Sequence, residues 1–284
     1  LDEADELCRK ALANEPDDVV ELVRTLNAHG VVQKKLGNYA AASSAYGRAL
    51  ELYPDAVWAH NNLATVQALQ GNFEQAESTL RKATGLTGEG EACNNHAWRK
   101  LGVVMLALRE ESPIPFFSQA VACNKLDHWA RIHRAAAKMC LETNRPGPDA
   151  MDDIWDEINA VFTVWGSSRP IPSQFLRVRA EAQLSRGRWL EAEQDSRSAL
   201  DQGDLQTAAM AILATSLARQ SKIDEAKACL VRAKSAWPDE LSPHGAVRAI
   251  PIKAHLWVET HDNLSRLLQL AQDTIDAMIG EVDG

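Results

Sequence analysis

The chain has 284 residues, of which 45% are hydrophobic and 24% charged, and its formal net charge is -9. This composition is ordinary for a soluble protein, and the acidic balance argues against a broad nucleic-acid or anionic-membrane surface, which needs basic residues. No apolar run approaches the roughly 20 residues of a membrane span. We therefore expect neither nucleic acid nor membrane as a partner.

The predicted elements begin with half of a repeat at residues 1–18, which lacks a first helix. Because the sequence starts at Leu1 inside this helical pattern, we expect it to be a piece of a longer protein. Three fuller units follow, at about 23–56, 57–90 and 94–125, and with residues up to 143 they form a predicted N-terminal sub-array.

The units share a period of 34 residues. Gly37 and Gly71 are 34 positions apart, and Ala42 and Ala76 repeat the step. The same step separates Ala192 from Ala226 in a later pair of units. Each unit has two apolar stripes of helical spacing with a turn between them. Two antiparallel helices approach to about 8–10 Å only where the facing side chains are small, which explains the repeated glycines and alanines.

The segment at residues 127–173 is predicted to be a degenerate repeat with a break rich in proline, glycine and serine, "GSSRPIPS" at 166–173. Two further units follow within residues 174–240. In the last region, 241–284, a helical pattern after Pro251 that ends at Gly280 is predicted to cap the array, because a terminal repeat would otherwise expose its apolar face.

Several stretches carry the same small-residue pattern, among them "HAWRKLG" (96–102), "YAAASSAYGRALELYP" (39–54) and "IDEAKACLVRAKSAWP" (223–238). They resemble the tetratricopeptide repeat family over most of residues 1–240, with Ser221 in place of the turn glycine. The resemblance implies an all-α solenoid of helix-turn-helix units, a right-handed superhelix with a C-terminal capping helix. It also implies a protein-interaction module with a protein or peptide partner.

Stacked units form a concave face lined by the first helix of each unit. We assigned residues to this face by counting positions from the turn glycines. The assigned residues, which include Lys34 and Lys35, are mostly basic or carry amides. In the resemblance, Asn62 matches an asparagine that holds a peptide backbone and Lys100 a basic position that binds carboxylates. The predicted peptide-binding residues are Arg24, Asn27, Trp58, Asn61, Asn62, His96, Arg99 and Lys100.

Signals of catalysis or metal binding are scarce. His128 and His133 are five residues apart, unlike the four-residue spacing of a metal-binding helix. The acidic run at 149–157 opens a predicted helix, where the helix dipole favours negative charge. Five cysteines (Cys8, Cys93, Cys123, Cys140 and Cys229) lie far apart and are odd in number, so we expect free thiols in a reducing cytoplasm. We expect no catalytic residue, no metal and no cofactor.

The sequence therefore predicts a cytoplasmic scaffold that binds an extended, somewhat acidic peptide in its groove. One alternative is self-association, in which the apolar last unit and the C-terminal helix form a homodimer. Another is a regulatory or docking arm of a larger enzyme, because arrays that resemble this one are appended to bacterial signalling kinases and to transferases.

Overall fold

The computed structural model describes residues 1–13, 18–86, 93–108, 111–141, 148–165, 170–203, 206–236, 247–252 and 255–283. Within these ranges the chain forms helices and one two-stranded sheet. The helices are α1 (Asp2–Ala13), α2 (Val19–Lys35), α3 (Tyr39–Leu52), α4 (Val57–Leu69), α5 (Phe73–Thr84), α6 (Asn95–Leu108), α7 (Ile114–Cys123), α8 (His128–Leu141), α9 (Pro148–Trp165), α10 (Ser173–Ser185), α11 (Trp189–Asp201), α12 (Gln206–Arg219), α13 (Ile223–Ala236) and α14 (His261–Asp283). The strands are β1 (Val247–Ile252) and β2 (His255–Thr260).

Consecutive helices pack as antiparallel pairs, most extensively α2 with α3, α12 with α13 and α10 with α11. Short turns join the two helices of these pairs, and the turn residues adopt positive φ. Gly37, Gly71 and Gly187 have φ of 80°, 81° and 70°, and Ser221 occupies the same place with φ of 62°. This left-handed region is costly for a residue with a Cβ, which explains why glycine is the usual choice.

The small residues act as the sequence predicted. Gly30 of α2 lies against the Tyr46 ring, and Gly102 of α6 lies against the Phe117 ring, so that an added Cβ would come within 2.6 Å of either ring. The alanines of the second helices, Ala42, Ala76, Ala192 and Ala226, are all 0% exposed. Close approach of paired helices therefore depends on these positions, and the prediction of helix-turn-helix units is confirmed.

The chain divides into two compact units. The first contains Leu1–Ala130 together with Arg248–Val258, and the second contains Arg131–Val247 and Glu259–Gly284. In the first unit, one part of the core joins α2, α3 and α4 through residues such as Leu26, Ala49 and Ala59.

In the second unit, α14 covers the last pair of helices as a cap. Leu264 and Leu267 pack with the α12 residues Ala208 and Ile212, and farther along Ile275 packs with Leu217. The outward side of α14 is polar, and its exposed Gln269 donates a hydrogen bond to Asp273 at 2.7 Å. This is the capping helix that the sequence indicated, although it continues past Gly280 to Asp283.

Two features differ from the sequence analysis. Residues 247–252 and 255–260, which had been assigned to the capping-helix region, form strands β1 and β2 instead. Cys93 and Cys123 form a disulfide with a Cα–Cα distance of 5.6 Å, so the prediction of free thiols is wrong for this pair. Their sequence separation of 30 residues gave no signal, because the two cysteines meet only when α6 and α7 fold back on each other.

Parts of the predicted breaks, residues 144–147 and 166–169, lie outside the described ranges. Among the residues that are described, no helix combines the length and apolar character needed to cross a membrane. The same residues contain no cluster of three or more histidine, cysteine or acidic side chains placed to hold a metal ion.

Candidate binding face

The first helices of the first unit, α2, α4 and α6, lie side by side, with α4 against both of the others. We use the term inner face for the predicted groove positions on these three helices. Five of the predicted residues on it reach solvent. Arg24 and His96 are exposed, and Asn27, Trp58 and Asn62 are half-buried.

The two half-buried asparagines meet across the contact between α2 and α4. Asn62 Nδ2 donates a hydrogen bond to Asn27 Oδ1 at 3.1 Å. This bond uses one polar end of each amide and leaves the Nδ2 donor of Asn27 and the Oδ1 acceptor of Asn62 on the same surface. One donor and one acceptor side by side match the C=O and N–H groups of an extended peptide backbone.

The other predicted residues, Asn61, Arg99 and Lys100, are turned into the protein and are 6%, 1% and 6% exposed. Lys100 Nζ donates to the backbone oxygen of Asn61 at 2.7 Å, which ties α6 to α4. Arg99 Nε donates to Asp127 Oδ2 at 3.2 Å. These side chains therefore hold neighbouring repeats together in this structure, and direct contact with a ligand would require their exposure.

Three residues that the sequence analysis did not select hold this arrangement in place. Asn94 and Asp127 precede α6 and α8, and the side chain of each accepts a hydrogen bond from the backbone N–H three residues later, as N-cap residues do. Asn94 Oδ1 also accepts from Asn61 Nδ2 at 3.2 Å, and Asp127 Oδ2 accepts from Asn95 Nδ2 at 2.7 Å. Asparagine or aspartate just before a helical stripe is a signal visible in the sequence, and it would have found two of the three.

The electrostatics of the inner face are dominated by positive charge. Burial lowers the pKa of Lys34, and the neighbouring Lys35 lowers it further. Burial also lowers the pKa of Lys100 well below its usual range, and the charges of Arg99 and Lys34 act in the same direction.

The acidic group next to this cluster is Asp127. Burial opposes its ionisation, but Arg99, the Ala130 N–H and the Asn95 amide stabilise the carboxylate and lower its pKa overall. Arg99 has a further buried nitrogen, Nη1, that makes no hydrogen bond within the described part of the chain. Asp127 thus pairs with Arg99, and the basic side chains that reach solvent on α2, Arg24, Lys34 and Lys35, favour an anionic ligand.

Trp58 has a second role besides any contact with a ligand. Part of its side chain packs on the core of α2 and α3, against a cluster that includes Val23 and Leu26. The five other tryptophans whose side chains are described, Trp98, Trp129, Trp155, Trp165 and Trp189, are buried or half-buried, as expected of residues that pack between helices.

The second unit offers a different surface. The apolar residues of α12 that the sequence analysis considered for self-association, such as Ala208, Ala211 and Ile212, are covered by α14 of the same chain. A cleft of about 710 Å³ lies between α9 and the α10–α11 pair, with Trp155 in its lining. Its Arg179 is bound to Asp195 through two hydrogen bonds of 2.6 Å, so charges in this cleft are matched more fully than on the inner face.

The acidic run at the start of α9 serves structural contacts. Glu157 accepts hydrogen bonds from Arg134 of α8, and Asp152 forms an ion pair with Arg186. Two members of the run are therefore used to join neighbouring helices.

A sequence-family model described as tetratricopeptide repeat matches residues 27–91, which include the inner-face residues Asn27, Trp58, Asn61 and Asn62. No curated protein matches the chain.

Solved structures with a similar fold include a tetratricopeptide repeat protein from Parabacteroides merdae ATCC 43184. It is 16% identical with a TM-score of 0.56, over 95% of this chain and 91% of that protein. A chain of the APC/C hetero-tetramer Cut9–Hcn1 is 12% identical with a TM-score of 0.68, over 93% of this chain and 45% of that one. PilF from Pseudomonas aeruginosa is 14% identical with a TM-score of 0.60, over 78% and 95%. At these identities the likeness is one of fold.

Proposed function

We propose that the inner face binds an extended, acidic segment of a partner protein. The proposal is supported by the tetratricopeptide-repeat match at residues 27–91 and by a fold of stacked helix pairs, which builds extended binding surfaces. The grouping of three basic side chains that reach solvent on α2, Arg24, Lys34 and Lys35, carries the proposal. A carboxylate placed among these groups would relieve their repulsion. The action is binding, and no residue is assigned a catalytic role.

The proposal gives each accessible residue a separate task. Asn27 and Asn62 pair with the peptide backbone through the donor and the acceptor that their mutual bond leaves over. Arg24, Lys34 and Lys35 meet carboxylates of the peptide, and the half-buried ring of Trp58 supports an apolar side chain. Arg99 and Lys100 lie beneath the surface, where they hold neighbouring repeats together.

The test uses an array of extended peptides of equal length whose charged residues are all acidic, all basic or replaced by serine. Binding to the intact chain is measured by fluorescence polarisation at low and physiological salt. We expect acidic peptides to bind at least tenfold more tightly than their serine versions, with affinity falling as salt screens the charges. Equal binding of acidic, neutral and basic peptides would overturn the proposal.

Two matched pairs of variants locate the site. Lys34→Glu should weaken binding of acidic peptides at least tenfold, whereas Lys82→Glu, on the exposed side of the second helix α5, should leave it unchanged. Asn62→Ala should weaken all extended peptides, since it removes a backbone contact. Asn72→Ala replaces an exposed asparagine that makes no capping bond and serves as its control. Equal effects of the members of a pair would place binding elsewhere.

A further inference from the structure

The cleft of about 710 Å³ in the second unit is lined by three helices. Helix α10 contributes Leu176, Arg179 and Gln183, which we call the floor, and α9 and α11 contribute the two walls. The floor residues are three and four positions apart, so they share one side of α10 and extend over about 10 Å. An open cleft here agrees with the helix packing, because α9 packs less closely on α10 than α3 packs on α4 or α11 on α12.

Gln183 marks this cleft as a place for a ligand. Its side chain belongs to the lining, yet the residue is only 5% exposed, and its buried Oε1 accepts no hydrogen bond from any described residue. Buried side-chain polar atoms usually have a hydrogen-bond partner, so a buried amide that lacks one beside an open cleft calls for an explanation. Rotation of the amide by 180° exchanges its oxygen and nitrogen, so Gln183 can offer a ligand either an acceptor or a donor.

The charges of the cleft are balanced. Arg179 donates hydrogen bonds to both carboxylate oxygens of Asp195 at 2.6 Å, and its guanidinium carbon lies 3.7 Å from the centroid of the Phe162 ring. Arg188 and Glu191 are both exposed and also carry opposite charges. A charged ligand would be attracted by one member of each pair and repelled by the other, so the cleft favours a ligand without charge.

Apolar side chains lie at both ends of the floor. The half-buried Trp155 ring lies at the Gln183 end, because its centroid is 5.1 Å from the guanidinium carbon of Arg188, just after α10. Ile171, just before α10, and Leu176 in its first turn lie at the other end. The ends are about 10 Å apart, a distance that an extended chain covers in three residues of about 3.3 Å each.

We infer that the cleft is a second binding site, which takes an extended, uncharged peptide segment with two apolar side chains three residues apart. One apolar side chain lies on Trp155 and the other against Leu176. Between them the backbone pairs with Gln183 of the floor and with the wall amides of Asn159 and Gln194, because an extended backbone presents N–H and C=O groups that such amides can match. This site differs from the inner face in its unit and in the charge of its ligand.

The test uses two fluorescein-labelled peptides with blocked ends and the same composition. GSLQSFSG has leucine and phenylalanine three residues apart, and GSLFQSSG has them adjacent. Fluorescence polarisation with the unaltered chain should show saturable binding of GSLQSFSG and at least tenfold weaker binding of GSLFQSSG. The affinity for GSLQSFSG should change less than twofold between low and physiological salt, and replacing its glutamine by glutamate or lysine should weaken binding.

A matched pair of variants locates the site. Gln183→Met keeps a side chain of similar length without the amide, so it should weaken binding of GSLQSFSG about fivefold without lowering the urea midpoint. Gln174→Met is the control and should leave binding unchanged. Gln174 is 0% exposed and its amide also has no partner in the described ranges, but it lies nine positions away, about 180° around α10. Lys34→Glu on the inner face should also have no effect, so failure of the proposed function would not alter these results.

A second measurement does not depend on folding of a floor variant. A photo-cross-linking residue at exposed position 194 of the otherwise unaltered chain should capture GSLQSFSG, and the same residue at exposed position 228 of α13 should not. The inference is overturned by absence of saturable binding, by equal binding of the two peptides, or by tighter binding of the glutamate or lysine peptide. Equal effects of the two glutamine variants, or equal capture from the two positions, would also overturn it.

Discussion

Replacing Gly102 with alanine should destabilise the protein, although alanine is the better helix former. An added Cβ would lie 2.6 Å from Cε1 and 2.7 Å from Cδ1 of the Phe117 ring, which is 0% exposed. Carbon atoms prefer about 3.5–4.0 Å, so the ring or the helix must retreat by about 1 Å. Overpacking of this kind costs up to about 3 kcal/mol, against a helix-propensity gain of about 1 kcal/mol. We expect a net loss of about 2 kcal/mol in the free energy of unfolding.

Gly47→Ala provides the matched control. Gly47 lies inside α3, and a Cβ built there meets nothing within 4 Å. This change should stabilise the protein by about 1 kcal/mol. Urea unfolding followed by circular dichroism at 222 nm measures both variants, and the loss at Gly102 should lower Tm by about 4–8 °C. If Gly102→Ala is as stable as the unaltered protein while Gly47→Ala behaves as expected, small residues do not control the approach of paired helices.

Two further changes test local features. Ser221→Gly should raise the free energy of unfolding by about 1 kcal/mol, because Ser221 has a φ of 62° where equivalent turns have glycine; a loss of stability in urea unfolding would contradict this. The Cys93–Cys123 disulfide should stabilise the oxidised protein by about 3.5 kcal/mol, since it closes a loop of about 30 residues. Dithiothreitol should therefore lower the urea midpoint of the unaltered chain but not that of a Cys93→Ser, Cys123→Ser variant. Thiol titration of the oxidised, unfolded chain should find three free thiols rather than five.

The sequence predicted the helical part of the fold because its determinants are local or recur at one spacing. A helix end or a close contact within one unit is specified by the turn glycines, the buried alanines and the apolar stripes. The structure confirms the predicted close contacts at Gly30 and Gly102. Helix α14 was also predictable, because a polar outer face and an apolar inner stripe can be read from a single segment.

The β1–β2 hairpin and the disulfide were not predictable on the same basis. The hairpin contributes to a unit that is distant in sequence, so its stability depends on contacts that no local pattern records. Cys93 and Cys123 meet because α6 and α7 fold back on each other, and their separation resembles no disulfide or metal motif. The 34-residue period does not indicate which distant segments contact each other.

The binding face shows why residues at matching positions have different environments. Asn27, Asn61 and Arg99 occupy the same position on α2, α4 and α6, yet Asn27 is half-buried and the other two are captured inside the protein. The difference lies in the residue that precedes the next first helix. Asn94 accepts from Asn61 and Asp127 accepts from Arg99, whereas α4, the next first helix after α2, is preceded by Ala56, whose side chain makes no capping hydrogen bond.

A polar cap therefore binds two partners at once, the first turn of its own helix and the inner-face side chain of the preceding repeat. Where the cap is apolar, as at Ala56, the preceding side chain stays available to a ligand. This relation explains why counting positions from the turn glycine does not separate residues that reach solvent from residues that join repeats. Ala56→Asn should give the Nδ2 donor of Asn27 a partner, as Asn94 does for Asn61, and in the proposed function it would withdraw Asn27 from the peptide.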